Sequence, residues 1–370
     1  MEETMEDLAK ATPLSAVQRE GGARLSPFFG WEMAESFGDS AEEHRKVRNS
    51  VGLLDLSYCG AIRIGGKEGA QFLQGLVTND VKALSKGKGM RAAFLTGKGK
   101  VIALCRVFGL DGGEFLIITD PQTHDKVYKY IFPMSYAGDF KVNDVTDLNR
   151  LLSVQGPKSL LVMKEICFDP VPQLAEHEWI DTIIAGHHVI VARASHTGEP
   201  GYDIFAPTAA LKDVWDFVLL KGDFHSIAPV GQIALDALRI EAGIPVYGQD
   251  IDDGNMMLET GLSDAVSFTK GCYTGQEAVA MATYRGHISK RLSGLKIASE
   301  IPPSRDDRVM KDGKEIGVVT SSLKSEGLGS VIALALLKYG YLDPGISVEV
   351  ESQGALAPAG VVELPFVRNI

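Results

Sequence analysis

What this sequence has little of narrows its class quickly. Only four of its 370 residues are cysteine, Cys59, Cys105, Cys167 and Cys272, scattered with no C-x-x-C spacing and no His at ligand distance. Such scatter offers neither a disulfide framework nor a self-contained zinc or iron–sulfur site, so no metal ligands are assigned. No run approaches the ~20 apolar residues that cross a bilayer, and the longest, Val331 to Leu337, is of strand length. Positive charge is in deficit, with 37 Lys and Arg against 48 Asp and Glu and a net charge of −11. That field repels phosphate backbones and anionic membranes, and neither nucleic acid nor a membrane is an expected partner. The start, MEETMEDLAK, lacks the basic and apolar segments of a secretory signal, which makes a cytoplasmic location the expectation. Also missing are G-x-x-x-x-G-K-[ST], G-x-S-x-G and H-E-x-x-H, the signatures of several common catalytic sites.

What is present is ordinary globular material, 45% hydrophobic and 23% charged, at a length that calls for two or three domains. DSAEEHRKVRNSV, from Asp39 to Val51, reads as a polar helix capped by Asp39 or Ser40. A strand at Ala61 to Ile64, a helix carrying Ala70, Phe72, Leu73 and Leu76, three β-rich runs between Ala92 and Thr119, and a helix from Thr123 to Ile131 follow. A second set repeats that order from Leu151 to Leu220, with His187 and His188 read as part of a hairpin rather than a metal site. Beyond about residue 290 the chain turns to short β-rich pieces, including a hairpin around Asp312 and Gly313. Strands and helices mixed in this way predict an α+β fold rather than a doubly wound sheet.

Three segments gather polar residues at tight turns. SHTGEPGYDIF sets Glu199 in a Gly-flanked turn ahead of a strand, where it either projects into a cleft or is simply solvated. IALDALRIEAGIPVYGQDI places Arg239 near a helix end, where it bonds terminal carbonyls or anchors a carboxylate ligand with its planar fork. KGCYTGQE is the most distinctive: Lys270, Gly271, Cys272, Tyr273, Gly275, Gln276 and Glu277 crowd donors, acceptors and one thiol into a short loop. Cys272 is there either an activated nucleophile or an inert thiol in a tight turn. With Arg285, Lys290 and Arg291, Lys270 makes a basic island that suits a small anion or is a solvated face.

KGCYTGQE, RGHISKRL and FLQGLVTNDV resemble the YgfZ family of tetrahydrofolate-binding proteins, linked to assembly or repair of iron–sulfur enzymes. TPLSAVQREGGARLSPFFGWEM, LLDLS, SVQGP, TGEPGYDI, ALRIEAGIPVYGQDI and LPFV are similar to the aminomethyltransferase, or T-protein, of the glycine cleavage system. The resemblance runs from Thr12 to Val367. It implies a three-domain ring, with residues 1–289 forming two interleaved α+β parts around tetrahydrofolate and residues 290–370 forming an antiparallel β-barrel. It also implies that Glu199 bonds the pterin, that Arg239 helps fix the ligand, and that Cys272 carries any chemistry of the loop. Aminomethyltransferases carry an Asp-Asp pair, one of them catalytic, where KVIALCRVF has Ala103 and Leu104, and an aromatic residue near the C-terminus, where this chain ends in Arg368, Asn369 and Ile370. The expected function is therefore a tetrahydrofolate-binding protein serving iron–sulfur proteins. A folate-dependent aminomethyltransferase or demethylase and a ligandless interaction scaffold are the alternatives.

Overall fold

The structure, a computed structural model, describes residues 9–284, 286 and 288–367. Readings that used Arg285 and His287, the first eight residues or the last three lie outside the described residues.

Alternating apolar positions build two mixed sheets. Phe115–Thr119 is central to a five-stranded sheet, flanked by Val101–Gly109 and Gly89–Leu95 on one side and by Gly60–Gly65 and Lys141–Asp144 on the other. One face of this sheet buries Ile62, Phe94, Val107 and Ile117 beneath the helix Pro121–Ile131. The other sheet has six strands and takes Val51–Asp55 from before that excursion and Asn149–Gln155 from after it, paired antiparallel to each other. Trp179–Ile184, His187–Arg193, Gly201–Pro207 and the parallel edge strand Ile227–Val230 complete it. The chain thus enters one sheet, builds the other, and returns. Helices Ser159–Ile166 and Leu211–Gly222 cover the six-stranded sheet through Val162, Val214 and Trp215.

Local chemistry sets the element ends. The polar helix runs Ser40–Asn49, and Asp39 is its cap, its carboxylate accepting from the Ala41 amide at 2.9 Å. Ile184 pairs with His187 across a two-residue turn whose Ala185 and Gly186 are both left-handed, so those histidines mark a hairpin. Asp312 and Gly313 turn the chain in the same way.

From Lys290 the chain closes a six-stranded antiparallel barrel around Leu295, Val309, Ile316, Val319 and Leu337. The expected α+β class with a C-terminal barrel is the observed one. Helix Gln232–Glu241 lies between the barrel and the rest of the chain, and its last residue joins them. Glu241 accepts from Ser325 of the barrel at 2.6 Å, from Arg48 at 2.7 Å, and meets His44 at 2.8 Å. Burial alone drives this carboxyl's pKa up, but its bonds to His44, Ser325 and Arg48 outweigh that and hold it at about 2. A depressed folded pKa gives stability that is present above the unfolded value and disappears as pH falls through the folded one. The stability difference between the parent and Glu241→Gln is accordingly expected to shrink by roughly 3 kcal/mol between pH 4.5 and pH 2, measured by urea unfolding across that range.

Candidate functional site

A cavity opens where the two sheets, helix Gln232–Glu241 and the loop after it converge. Its walls are largely apolar, formed by Phe28, Leu56, Tyr58, Leu104, Ile118 and Leu235. Into this space the strand Val101–Gly109 presents Leu104 and Arg106, two residues apart and therefore on one face. Arg106 forms an ion pair with Asp203, a fully buried residue of the strand Gly201–Pro207. His196, in the turn before that strand, completes the group with its Nε2 at 2.9 Å from Asp203 Oδ1. Burial pushes the Asp203 pKa up, yet His196 and Arg106 more than cancel this and leave it well below the ordinary carboxylate range. The cluster is thus an ionised carboxylate clamped by two partners, with His196 presented to the cavity.

Other cavity groups are tuned mainly by burial. The Cys59 thiol is pushed well above its ordinary range by burial and by Asp120, so it is neutral and a poor nucleophile at pH 7. His177 is drawn down to about 4 by burial and the nearby Arg106 and Arg91, and so is neutral too. Two buried cavity atoms, His177 Nδ1 and Gln122 Oε1, have no hydrogen-bond partner among the described residues.

The residues singled out in the sequence fall in three separate places. Glu199 is buried, but outside the cavity lining, and its Oε1 accepts from Arg48 at 2.8 Å. Arg239 does line the cavity, with its donors already committed: Nε to Asp236, Nη1 to Asp250, and Nη2 to Ser321 of the barrel at 2.8 Å. It braces helix, loop and barrel at the cavity edge.

The 270–277 loop lies outside the cavity lining. Lys270 is buried and donates to the carbonyls of Gln74, Val77 and Asn79 at 2.7–2.8 Å, closing the end of helix Gly69–Gln74. Burial pulls its pKa down to about 8, so at pH 7 the ammonium keeps one proton for each carbonyl. Tyr273 packs into a core with Leu95, Val101 and Val279, and its ring lies beneath the Lys270 ammonium. Gln276 opens the helix Gln276–Tyr284, while Gly271, Cys272 and Glu277 are exposed. Gly275 has φ +86°, and a Cβ there would stand 2.7 Å from the Thr96 carbonyl oxygen. Gly275→Ala is therefore expected to cost roughly 1–3 kcal/mol in urea unfolding, since neither the conformation nor the backbone oxygen yields easily.

Arg106, His196 and Asp120 line the cavity and Asp203 pairs with Arg106, and the sequence reading singled out none of the four. Their signal was charge inside β-rich runs: an arginine in KVIALCRVF and an aspartate two residues after a turn glycine in GYDIF.

The comparisons with known proteins bear on the family and the fold. Residues 14–270 match the family described as the GCVT N-terminal domain. Residues 290–368 match the glycine cleavage T-protein C-terminal barrel domain. Among curated relatives, the aminomethyltransferase of Moorella thermoacetica is 32% identical over 99% of both chains. That of Bacillus subtilis is 30% identical over 98% of this chain and 100% of its own. The solved structure of the glycine cleavage system aminomethyltransferase T from Bartonella henselae shares the fold, with a TM-score of 0.90 over 97% of this chain and 98% of that one at 24% identity. With both domains matched and relatives aligned from end to end, this chain belongs to the glycine cleavage T-protein family.

Proposed function

We propose that the central cavity binds tetrahydrofolate and that the chain is a folate-dependent one-carbon transferase of the aminomethyltransferase type. The observation that carries this reading is the cavity's make-up: apolar walls from Phe28, Tyr58, Leu104 and Leu235 meet polar atoms at His177 and Gln122 that have no protein partner among the described residues. A pterin is flat, with apolar faces and hydrogen-bonding edges, and such a site suits it. End-to-end relatives that bear the name aminomethyltransferase support the same reading. Bound tetrahydrofolate supplies the nitrogen that carries a one-carbon unit. The chain's own part is to exclude water with those walls, to hold Asp203 ionised between Arg106 and His196, and to fix the cavity edge through Arg239.

The finer reading, a YgfZ-like helper of iron–sulfur proteins acting through Cys272, has less behind it, because Cys272 is exposed and away from the cavity. Tetrahydrofolate at ~100-fold its dissociation constant is expected to stabilise the protein by about 2.7 kcal/mol in a thermal shift, and equally so in Cys272→Ser. No shift in the parent favours the ligandless scaffold. A shift lost only in Cys272→Ser returns the loop to the centre.

A further inference from the structure

Asp120 is the N-cap residue of helix Pro121–Ile131, yet its side chain makes no capping bond. Among the described residues nothing donates a hydrogen bond to its carboxyl, although it lines the cavity. Strand register fixes its neighbours. Thr119 pairs with Cys105 on one side and with Gly60 on the other. One residue further along, Asp120 comes between Leu104 and Cys59, and all three line the cavity. A carboxyl thus sits beside the position where the strand Val101–Gly109 offers only a leucine.

The Asp120 carboxyl feels both burial and nearby charge. Burial raises its pKa, against the opposing charges of Arg106, His196 and Arg91. These reach it from the strand Val101–Gly109, the turn before Gly201 and the strand Gly89–Leu95. Tyr58 and Cys59 face it from the turn before Gly60, and both are neutral at pH 7 because burial raises them. A carboxyl whose pKa burial raises, beside the Arg106 and Arg91 guanidinium groups that stabilise its anion once a proton has left, suits proton transfer in both directions.

Resting on the folate reading above, we propose that Asp120 is the acid–base group of the cavity for transfer of a one-carbon unit between two nitrogens. Asp120 gives its proton to the departing nitrogen as the old C–N bond breaks with its electron pair left on that nitrogen. It then takes the proton of the capturing nitrogen, whose lone pair forms the new C–N bond. The carbon changes partner without oxidation or reduction, and Asp120 finishes protonated as it began. Arg106, clamped by Asp203, is the positioning residue that steadies the transient carboxylate.

The test compares the full-length parent with Asp120→Asn, which keeps the side-chain shape and a good helix cap. In the ligand-free parent, the Asp120 ¹³Cγ resonance is expected to titrate above the ordinary aspartate value of about 3.9. The Asn variant identifies that resonance by its loss. Capture of the carbon of [¹³C]methylene-tetrahydrofolate by added methylamine, in which one folate C–N bond breaks with its electron pair left on that nitrogen, the amine lone pair forms the new C–N bond and the carbon keeps its bond to the other folate nitrogen, is expected to fall 10²- to 10⁴-fold in Asp120→Asn, with tetrahydrofolate affinity within threefold of the parent. A ligand-free midpoint in the ordinary range, or transfer at the parental rate in the variant, overturns the assignment. Failure of the parent to bind tetrahydrofolate sinks the functional reading instead, and Asp120 is then judged on its ligand-free titration alone.

Discussion

Arg106→Met is expected to lower stability by about 3–5 kcal/mol in urea unfolding. Asp203 has no exposed surface, and the Arg106 guanidinium, with His196 on its other side, offsets its burial. Removing the guanidinium leaves a buried carboxylate with His196 alone, and the cost is that of an uncompensated charge rather than of one hydrogen bond. The double change Arg106→Met with Asp203→Leu is expected to recover much of the loss, because replacing a buried pair by apolar groups is often close to neutral. It also removes the Arg106–Asp203 charge pair from the cavity wall, so recovered stability with weakened folate binding is the predicted combination. An Arg106→Met variant as stable as the parent contradicts the picture of a clamped carboxylate.

Arg48→Met is expected to cost a similar 3–5 kcal/mol, for a reason that lies outside the cavity. Arg48 reaches Glu199 at 2.8 Å and Glu241 at 2.7 Å, and it also donates to the carbonyls of Thr197 at 3.0 Å and Leu238 at 3.3 Å. It therefore ties the helix Ser40–Asn49 to the turn before Gly201 and to the end of helix Gln232–Glu241. Without it Glu199 keeps no cationic partner among the described residues, whereas Glu241 retains His44 and Ser325. A double-mutant cycle with Glu199→Gln is expected to give a coupling above 1 kcal/mol for the pair. The same Gln variant is expected to bind tetrahydrofolate as the parent does, since Glu199 does not line the cavity. Weakened binding in Glu199→Gln with unchanged stability would make Glu199 a ligand contact instead of a structural partner of Arg48.

The architecture was largely readable because its signals are local. Asp39 or Ser40 announces a cap, Ala185 and Gly186 a hairpin turn, and the runs after residue 290 a β-rich region, each through nearby residues, while closure of that region into a barrel was implied by the family resemblance alone. The site was less readable because it is assembled across long separations. Arg106 and Asp203 are 97 positions apart, and nothing in either segment names the other. KGCYTGQE lies outside the cavity lining for a related reason. A dense cluster of polar and glycine residues suggests a binding loop, yet Lys270 spends its charge on three carbonyls near residues 74–79 and Gly275 makes room for the Thr96 carbonyl. Such demands of backbone geometry leave the same residue types in sequence as a ligand site does. Asp120 was hidden differently: before a proline it reads as an ordinary helix cap, and only the strand register sets it beside Leu104.

The claim that the cavity, and not the distinctive loop, is the working site is open to one direct measurement. Amide hydrogen exchange with and without saturating tetrahydrofolate reports which segments the ligand orders. The account predicts slowed exchange at residues 56–59, 104–106, 118–122 and 194–196, with residues 270–277 unchanged. Protection confined to residues 270–277 contradicts it.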